Sequence, residues 1–201
     1  MTEIPSLQAH TMGNQPGPII SIVKLAVLGA VLGTSLDCLH VASGVLSYNH
    51  PQIWKTSLWV PVIFGTVCAA SYVPVSALSR SFSVPTEDFR SRALRDVKRL
   101  FSAYLLTAVF VGREEITLAA LLILAVIGTV MNSHPLWLVC GLFAAVVGSM
   151  SEALLVHSGF FQYLHSQPIP YWLPLLWLIA GYAMTSVCLL FKFDESKTPS
   201  L

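Results

Sequence analysis

Residues 19–46 read IISIVKLAVLGAVLGTSLDCLHVASGVL, an apolar run interrupted by Lys24, Asp37 and His40. At 1.5 Å per helical residue this run is longer than the roughly 30 Å hydrocarbon layer of a bilayer. It is also too long for the apolar core of a cleaved signal peptide. Residues 1–18 before it are polar, contain Pro and Gly, and carry no Lys or Arg, so the basic region of such a signal is missing too. The expectation is a short polar tail over 1–18, retained in the mature protein, followed by a first membrane span over 19–46.

The same reading extends along the chain. Further apolar windows cover 57–78, 97–112, 116–131, 136–157 and 171–191, and a polar tail follows over 192–201. The windows at 97–112 and 116–131 are short for a span. Strands would show ten-residue alternation, which is absent, so the spans are helical. The fold class expected is an all-α integral membrane protein. Residues 19–191 form a six-helix bundle with short connections and antiparallel neighbours. No internal repeat stands out, and the uneven placement of charges argues against a doubled three-helix unit. Composition agrees: of 201 residues, 55% are hydrophobic and only 10% charged, against about 25% charged in soluble domains. A net charge of +1 with no basic stripe through a folded domain argues against nucleic acid as partner. Cys38, Cys68, Cys140 and Cys188 all lie in apolar windows without a CxxC pair, and read as buried thiols.

Basic residues orient the bundle. Arg80, Arg90, Arg92 and Arg95 lie between the second and third spans, and Lys98 and Arg99 open the third. Lys192 and Lys197 lie in the final tail, while the opposite side has only Lys55 and Arg113. The positive-inside rule then puts both termini in the cytoplasm. Trp54, Trp59 and Trp172 fall near the outer boundary as interfacial anchors. Arg92, Arg95 and Arg99 share a helix face. That face can lie against anionic headgroups, at about 1 kcal/mol per basic residue; it reads either as a topology determinant or as a specific partner-docking surface.

Packing signals are small-xxx-small pairs at Gly29/Gly33, Gly65/Ala69 and Ala144/Gly148. Pro61 and Pro74 bracket the second span; Pro168, Pro170 and Pro174 mark the approach to the sixth.

Intramembrane ionisable groups carry the functional argument, because a charge at the bilayer centre costs at least about 2.5–3.5 kcal/mol. Lys24 can snorkel to the cytoplasmic surface. Asp37 and His40 share one face of the first span, and Glu152 and His157 lie at the same depth on the fifth. Tyr72, Tyr104, Thr107, Gln162 and Tyr163 can add neutral hydrogen-bonding groups. These residues admit a metal site on Asp37, His40, Glu152 and His157, an ion-coupled transporter or a metal-dependent intramembrane hydrolase. They also admit a lipid-headgroup pocket or a purely structural hydrogen-bond cluster. No HxxxH or HExxH pair fixes two ligands on one helix and no nucleophile motif occurs, which argues against a hydrolase, a metal and any cofactor. A lipid pocket would use Gly29, Gly33, Gly65 and Ala69 as an apolar slot, with Asp37 and His40 at the head and Thr66 or Gln162 completing the bonding. Trp59, Tyr72, Tyr104, Thr107, Glu152 and Tyr163 belong to the same candidate set.

Several stretches resemble the Insig (insulin-induced gene) proteins. Trp59-Val-Pro-Val-Ile-Phe-Gly-Thr66 is similar to the Trp-Val-Pro-x-x-x-Gly-Thr run of their second span. Leu155-Val-His-Ser-Gly-Phe-Phe-Gln-Tyr163 resembles their Leu-Val-Tyr-Asn-Gly-Val-Tyr-Gln-Tyr, and Tyr171-Trp-Leu-Pro174 their Ser-Trp-Leu-Pro. Phe110-Val-Gly112 and Thr117-Leu-Ala-Ala-Leu121 are similar to parts of the third and fourth spans. The resemblance covers most of the chain after residue 18. It implies six helices with cytosolic termini and a non-enzymatic protein that binds a sterol-like lipid. In animals the family retains a sterol-sensing escort protein and a sterol-synthesis reductase in the endoplasmic reticulum. Here the chain passes from Gly112 through Arg113, Glu114 and Glu115 straight into Ile116, without the animal proteins' acidic residue in a longer connection, and the long polar N-terminal tail is missing. Lipid binding survives these departures. Compact loops point to a prokaryotic relative in the plasma membrane; a eukaryotic one would reside in the endoplasmic reticulum. The ligand expected is a neutral, hydroxyl-bearing lipid, sterol-like or diacylglycerol-like. A membrane-embedded protein partner and a homo-oligomer are further expectations.

Overall fold

The structure, a computed structural model, describes residues 18–84, 88–166 and 168–194. The tail 1–17 and Lys197 lie outside the described residues. The elements are α1 (Pro18–Ser43), β1 (Leu46–Tyr48), α2 (Trp59–Ser81), α3 (Phe89–Val109), α4 (Glu114–Met131), α5 (Pro135–His157), β2 (Phe161–Tyr163) and α6 (Leu173–Asp194). Five of these helices are long and apolar enough to cross a membrane; α3 is not among them. Its first half carries Arg90, Arg92, Arg95, Asp96, Lys98 and Arg99, which no window of apolar residues can absorb. For the same reason the sequence window at 97–112 starts eight residues late.

Helix α6 is the hub. Of its apolar stretch 61% is buried, against 22% or less in the other four apolar helices. In lipid there is little hydrophobic drive between helices, so close approach by small residues decides contact. Gly29 and Gly33 of α1 meet α2: a Cβ on Gly29 would lie 2.6 Å from the Phe64 carbonyl, and one on Gly33 2.4 Å from the Phe64 ring. Gly65 returns the contact against the Ala26 carbonyl at 3.0 Å. On the other side Gly141 receives the Tyr182 ring, Gly148 receives Trp177, and Gly181 packs on Ala144.

The first window's last residues, 44–46, are not helical. Gly44 at φ +79° ends α1 and Gly159 at φ +74° ends α5, a left-handed geometry in which glycine has no Cβ penalty. Each turn leads into a short strand, and the two strands pair antiparallel as Leu46↔Tyr163, Ser47↔Gln162 and Tyr48↔Phe161.

These two corners are copies of one another. Asp37-Cys-Leu-His-Val-Ala-Ser-Gly-Val-Leu-Ser-Tyr48 and Glu152-Ala-Leu-Leu-Val-His-Ser-Gly-Phe-Phe-Gln-Tyr163 share Leu, Val, Ser, Gly and Tyr at matching positions. Trp59-Val-Pro61 and Trp172-Leu-Pro174 then open the following helices. The hydrogen bonds repeat as well. Gly44 N donates to Val41 O and Gly159 N to Val156 O; Val45 N donates to His40 O and Phe160 N to Leu155 O. Across the pair, Asn49 N donates to Phe160 O and Leu164 N to Val45 O. Ser47 and Gln162, 115 positions apart, are equivalent residues and face each other. A pseudo-two-fold axis therefore passes between them, and the repeated unit is a two-helix corner rather than the three-helix unit the sequence argued against.

Candidate functional site

Between α2 and α5 lies a cavity of about 510 Å³. Ile63, Phe64, Val67, Ala70, Val75 and Leu78 of α2 form one wall. Val139, Phe143, Ala144, Val147 and Leu155 of α5 form the other, and Leu176, Trp177, Gly181, Met184 and Thr185 of α6 form the floor. Ile63, Val67, Val139, Phe143 and Val147 also face outward, so the cavity opens sideways between two helices that scarcely touch. Pro74 provides no N–H for the carbonyl of Ala70, and both residues line the space. Because α2 continues to Ser81, this proline sits inside the helix and not at its end.

Polar groups gather at the end nearest the strands. Asp37, 6% exposed, receives the Tyr48 hydroxyl on both carboxyl oxygens at 2.9 Å. Glu152 accepts from the Tyr163 hydroxyl and, at 2.7 Å, from the Trp177 indole N–H. His40 stacks on Tyr104 with centroids 4.4 Å apart and meets Thr107 Oγ1 through Nε2 at 2.6 Å. The Thr107 hydroxyl donates its single proton to the Tyr104 carbonyl at 2.7 Å, which makes His40 Nε2 the donor in the first bond and leaves Nδ1 as acceptor. Asp37, His40, Tyr48, Trp59, Tyr104, Glu152 and Tyr163 all line the cavity, and among the described residues no Lys or Arg does.

Of the residues expected from sequence, Asp37, His40, Trp59, Tyr104, Glu152 and Tyr163 are thus brought together. Thr107 stands behind them, holding His40. Gly29, Gly33, Gly65 and Ala69 do not form the slot: the glycines are spent on the α1–α2 contact, where a neighbouring helix occupies the space an acyl chain would need. Thr66 is exposed and outside the cavity. Tyr72 is buried in the core at the far end. Gln162 points out of the hairpin and bonds Ser47. His157 is exposed and does not line the cavity. No three His, Cys, Asp or Glu side chains gather as metal ligands among the described residues. Sequence reading missed Tyr48 and Trp177. Tyr48 could have been found: it follows Asp37 by 11 residues, as Tyr163 follows Glu152.

Two further expectations need correction. Trp172 is buried against Tyr163 and His40, and Trp59 packs on Tyr48 and Phe160. Only Trp54, 92% exposed on a turn with φ +49°, projects outward. The Arg92, Arg95 and Arg99 face turns into the bundle, so it does not lie against headgroups or offer a docking surface; its place in the basic asymmetry that orients the chain is unchanged. Arg99, 7% exposed, pairs with Asp96, 1% exposed, at 2.7 Å. Asn132, the residue that caps α4, donates to both Asp96 oxygens, and Ser186 of α6 donates to Asp96 Oδ2 at 2.6 Å. Arg95 donates to Asn132 Oδ1, and Arg92 lies over the Trp137 ring. Asp96, overlooked in the sequence, draws these arginines inward.

Residues 99–193 match a family described as "Protein of unknown function (DUF2878)". No curated protein matches the chain. Among solved structures, the chain is similar to a mycobacterial Insig homologue, MvINS from Mycobacterium vanbaalenii. The TM-score is 0.75 at 23% identity, over 91% of this chain and 98% of that one. A cross-linked MvINS trimer matches with a TM-score of 0.74 at the same identity and coverage. The chain therefore has the fold of the Insig homologue and is an integral, multi-pass membrane protein.

Proposed function

We propose that the protein is a non-enzymatic lipid-binding protein of Insig type. It takes a neutral, hydroxyl-bearing lipid of the sterol or diacylglycerol class into the cavity between α2 and α5. One observation carries the reading. The cavity is largely apolar along its walls and open towards the lipid tails; its carboxyl, phenol and imidazole groups collect at one end, and among the described residues no Lys or Arg lines it. Its volume is in the usual range for small-molecule sites, about 300–1,000 Å³. A phosphate head normally requires cationic clamps, and two carboxyl groups would oppose it. A hydroxyl suits them.

Both termini face the cytoplasm in this reading, on the strength of the basic residues at the far end from the strands. The membrane is the plasma membrane of a prokaryotic cell. Because a related protein forms a cross-linked trimer, we extend self-association to this chain. Binding at micromolar affinity or better, roughly −8 kcal/mol, is expected. Native mass spectrometry of the purified full chain, followed by lipid extraction, identifies what is bound. Competition of a tritiated sterol by unlabelled diacylglycerol, cardiolipin and phosphatidylglycerol tests the class. Displacement by the anionic lipids alone would overturn the reading.

A further inference from the structure

The duplicated corner gives the cavity two acid–tyrosine pairs, not one. Asp37–Tyr48 and Glu152–Tyr163 have the same 11-residue offset and lie on either side of the axis through Ser47 and Gln162. All four side chains line the cavity. In each pair the tyrosine proton is already committed to its own acid, so each half-site turns a carboxyl group and a phenolic oxygen towards the ligand.

A hydroxyl both donates and accepts, so it satisfies a carboxyl group in either protonation state; a carbonyl or an ammonium can serve only one. From this doubling we propose that the cavity takes a lipid whose head bears two hydroxyls, one held at Asp37–Tyr48 and the other at Glu152–Tyr163. The inference rests on the neutral-lipid reading above and carries it to a diol head, as a monoacylglycerol has, where a plain sterol or a diacylglycerol would fill one half-site only. The half-sites are not equal. Glu152 already accepts the Trp177 indole, whereas among the described residues Asp37 accepts from Tyr48 alone. Where the first copy places His40, which stacks on Tyr104, the second has Leu155. The hydroxyl at Asp37 therefore contributes more than the one at Glu152.

The test uses probes that leave the protein intact: 1-oleoylglycerol, its 2-O-methyl and 3-O-methyl ethers, and the dimethyl ether. All have one acyl chain and differ only in free hydroxyls. Binding to the purified full chain is read by native mass spectrometry. Each single ether should bind about five-fold more weakly than the diol, and the diether about 25-fold, the size of one and two hydrogen bonds. Asp37→Asn and Glu152→Gln should each reduce the diol's advantage over the ethers, Asp37→Asn more. If the diol binds no better than the single ethers while the dimethyl ether binds more weakly, the two-hydroxyl inference fails and the hydroxyl-bearing neutral-lipid reading stands; if the dimethyl ether binds as well as the diol, both fail. If neither these probes nor a sterol binds, that reading fails and this one with it.

Discussion

Gly148 shows what one methyl group can do in this fold. A Cβ there would lie 2.1 Å from the Trp177 ring, and that indole both floors the cavity and donates to Glu152. Gly148→Ala is expected to displace the ring, lower stability by about 1–3 kcal/mol as overpacking does, and weaken lipid retention. Thermal melting and native mass spectrometry of the same preparation would check both effects. Asp37→Asn should weaken lipid binding modestly, because the amide still accepts from Tyr48; Asp37→Leu should cost about 1–3 kcal/mol, the price of an unpaired buried partner. Equal binding by all three forms would assign Asp37 to structure alone. At the other end, Asp88 caps α3, accepting from the backbone N–H groups of Arg90 and Ser91. The Ser91 hydroxyl, then these backbone bonds, hold its carboxyl below the usual range. A depressed folded value means the cap's contribution is present above the unfolded pKa and is lost as pH falls through the folded one. The melting deficit of Asp88→Ala should therefore shrink below about pH 4. Single ionisable residues in apolar windows were legible in the sequence because each contradicts its surroundings. Their partners were not: Tyr48 and Trp177 look ordinary where they stand, and only the turn at Gly44 and the Trp177–Gly148 contact bring them in.

Among the elements, α3 departs furthest from its sequence reading. Its buried face carries polar side chains at both ends, Asp96 and Arg99 near the basic end and Tyr104 and Thr107 near the strands, with Ala103 between. One helix thus borders both polar centres, and its apolar content alone would not identify it as a span. Asp96→Leu should strand the Arg99 guanidinium and destabilise by about 3–5 kcal/mol, while Asp96→Leu with Arg99→Met should recover much of that loss. Melting of the two variants decides; equal losses would mean the ion pair holds nothing that packing does not. The five apolar helices were readable because length and hydropathy suffice for them. The strands were not, since three residues carry no usable alternation. Nor was the repeat, whose five identities in twelve residues gain weight only once the hydrogen bonds are seen to repeat with them. The small-residue pairs correctly signalled close approach on α1 and α2, but a neighbouring helix, not a ligand, fills the room they leave.

For the molecule as a whole, the asymmetry of basic residues sets the expected orientation. A C-terminal reporter should be active only when it requires the cytoplasm; activity on the outer side would reverse the topology and move the strand end of the cavity to the inner leaflet. The bundle is closed around α6, and the buried acid of α3 finds a partner there: Asp96 and Ser186 are 90 positions apart. That separation bears on how the protein is made. When α3 leaves the ribosome its acid has Arg99 beside it but neither Asn132 nor Ser186. A segment so charged partitions poorly into hydrocarbon by itself. Its partners at α4 and α6 are made later, so the expectation is that α3 settles only once α6 has been made, and that a chain cut short before α6 leaves α3 accessible to water-soluble reagents.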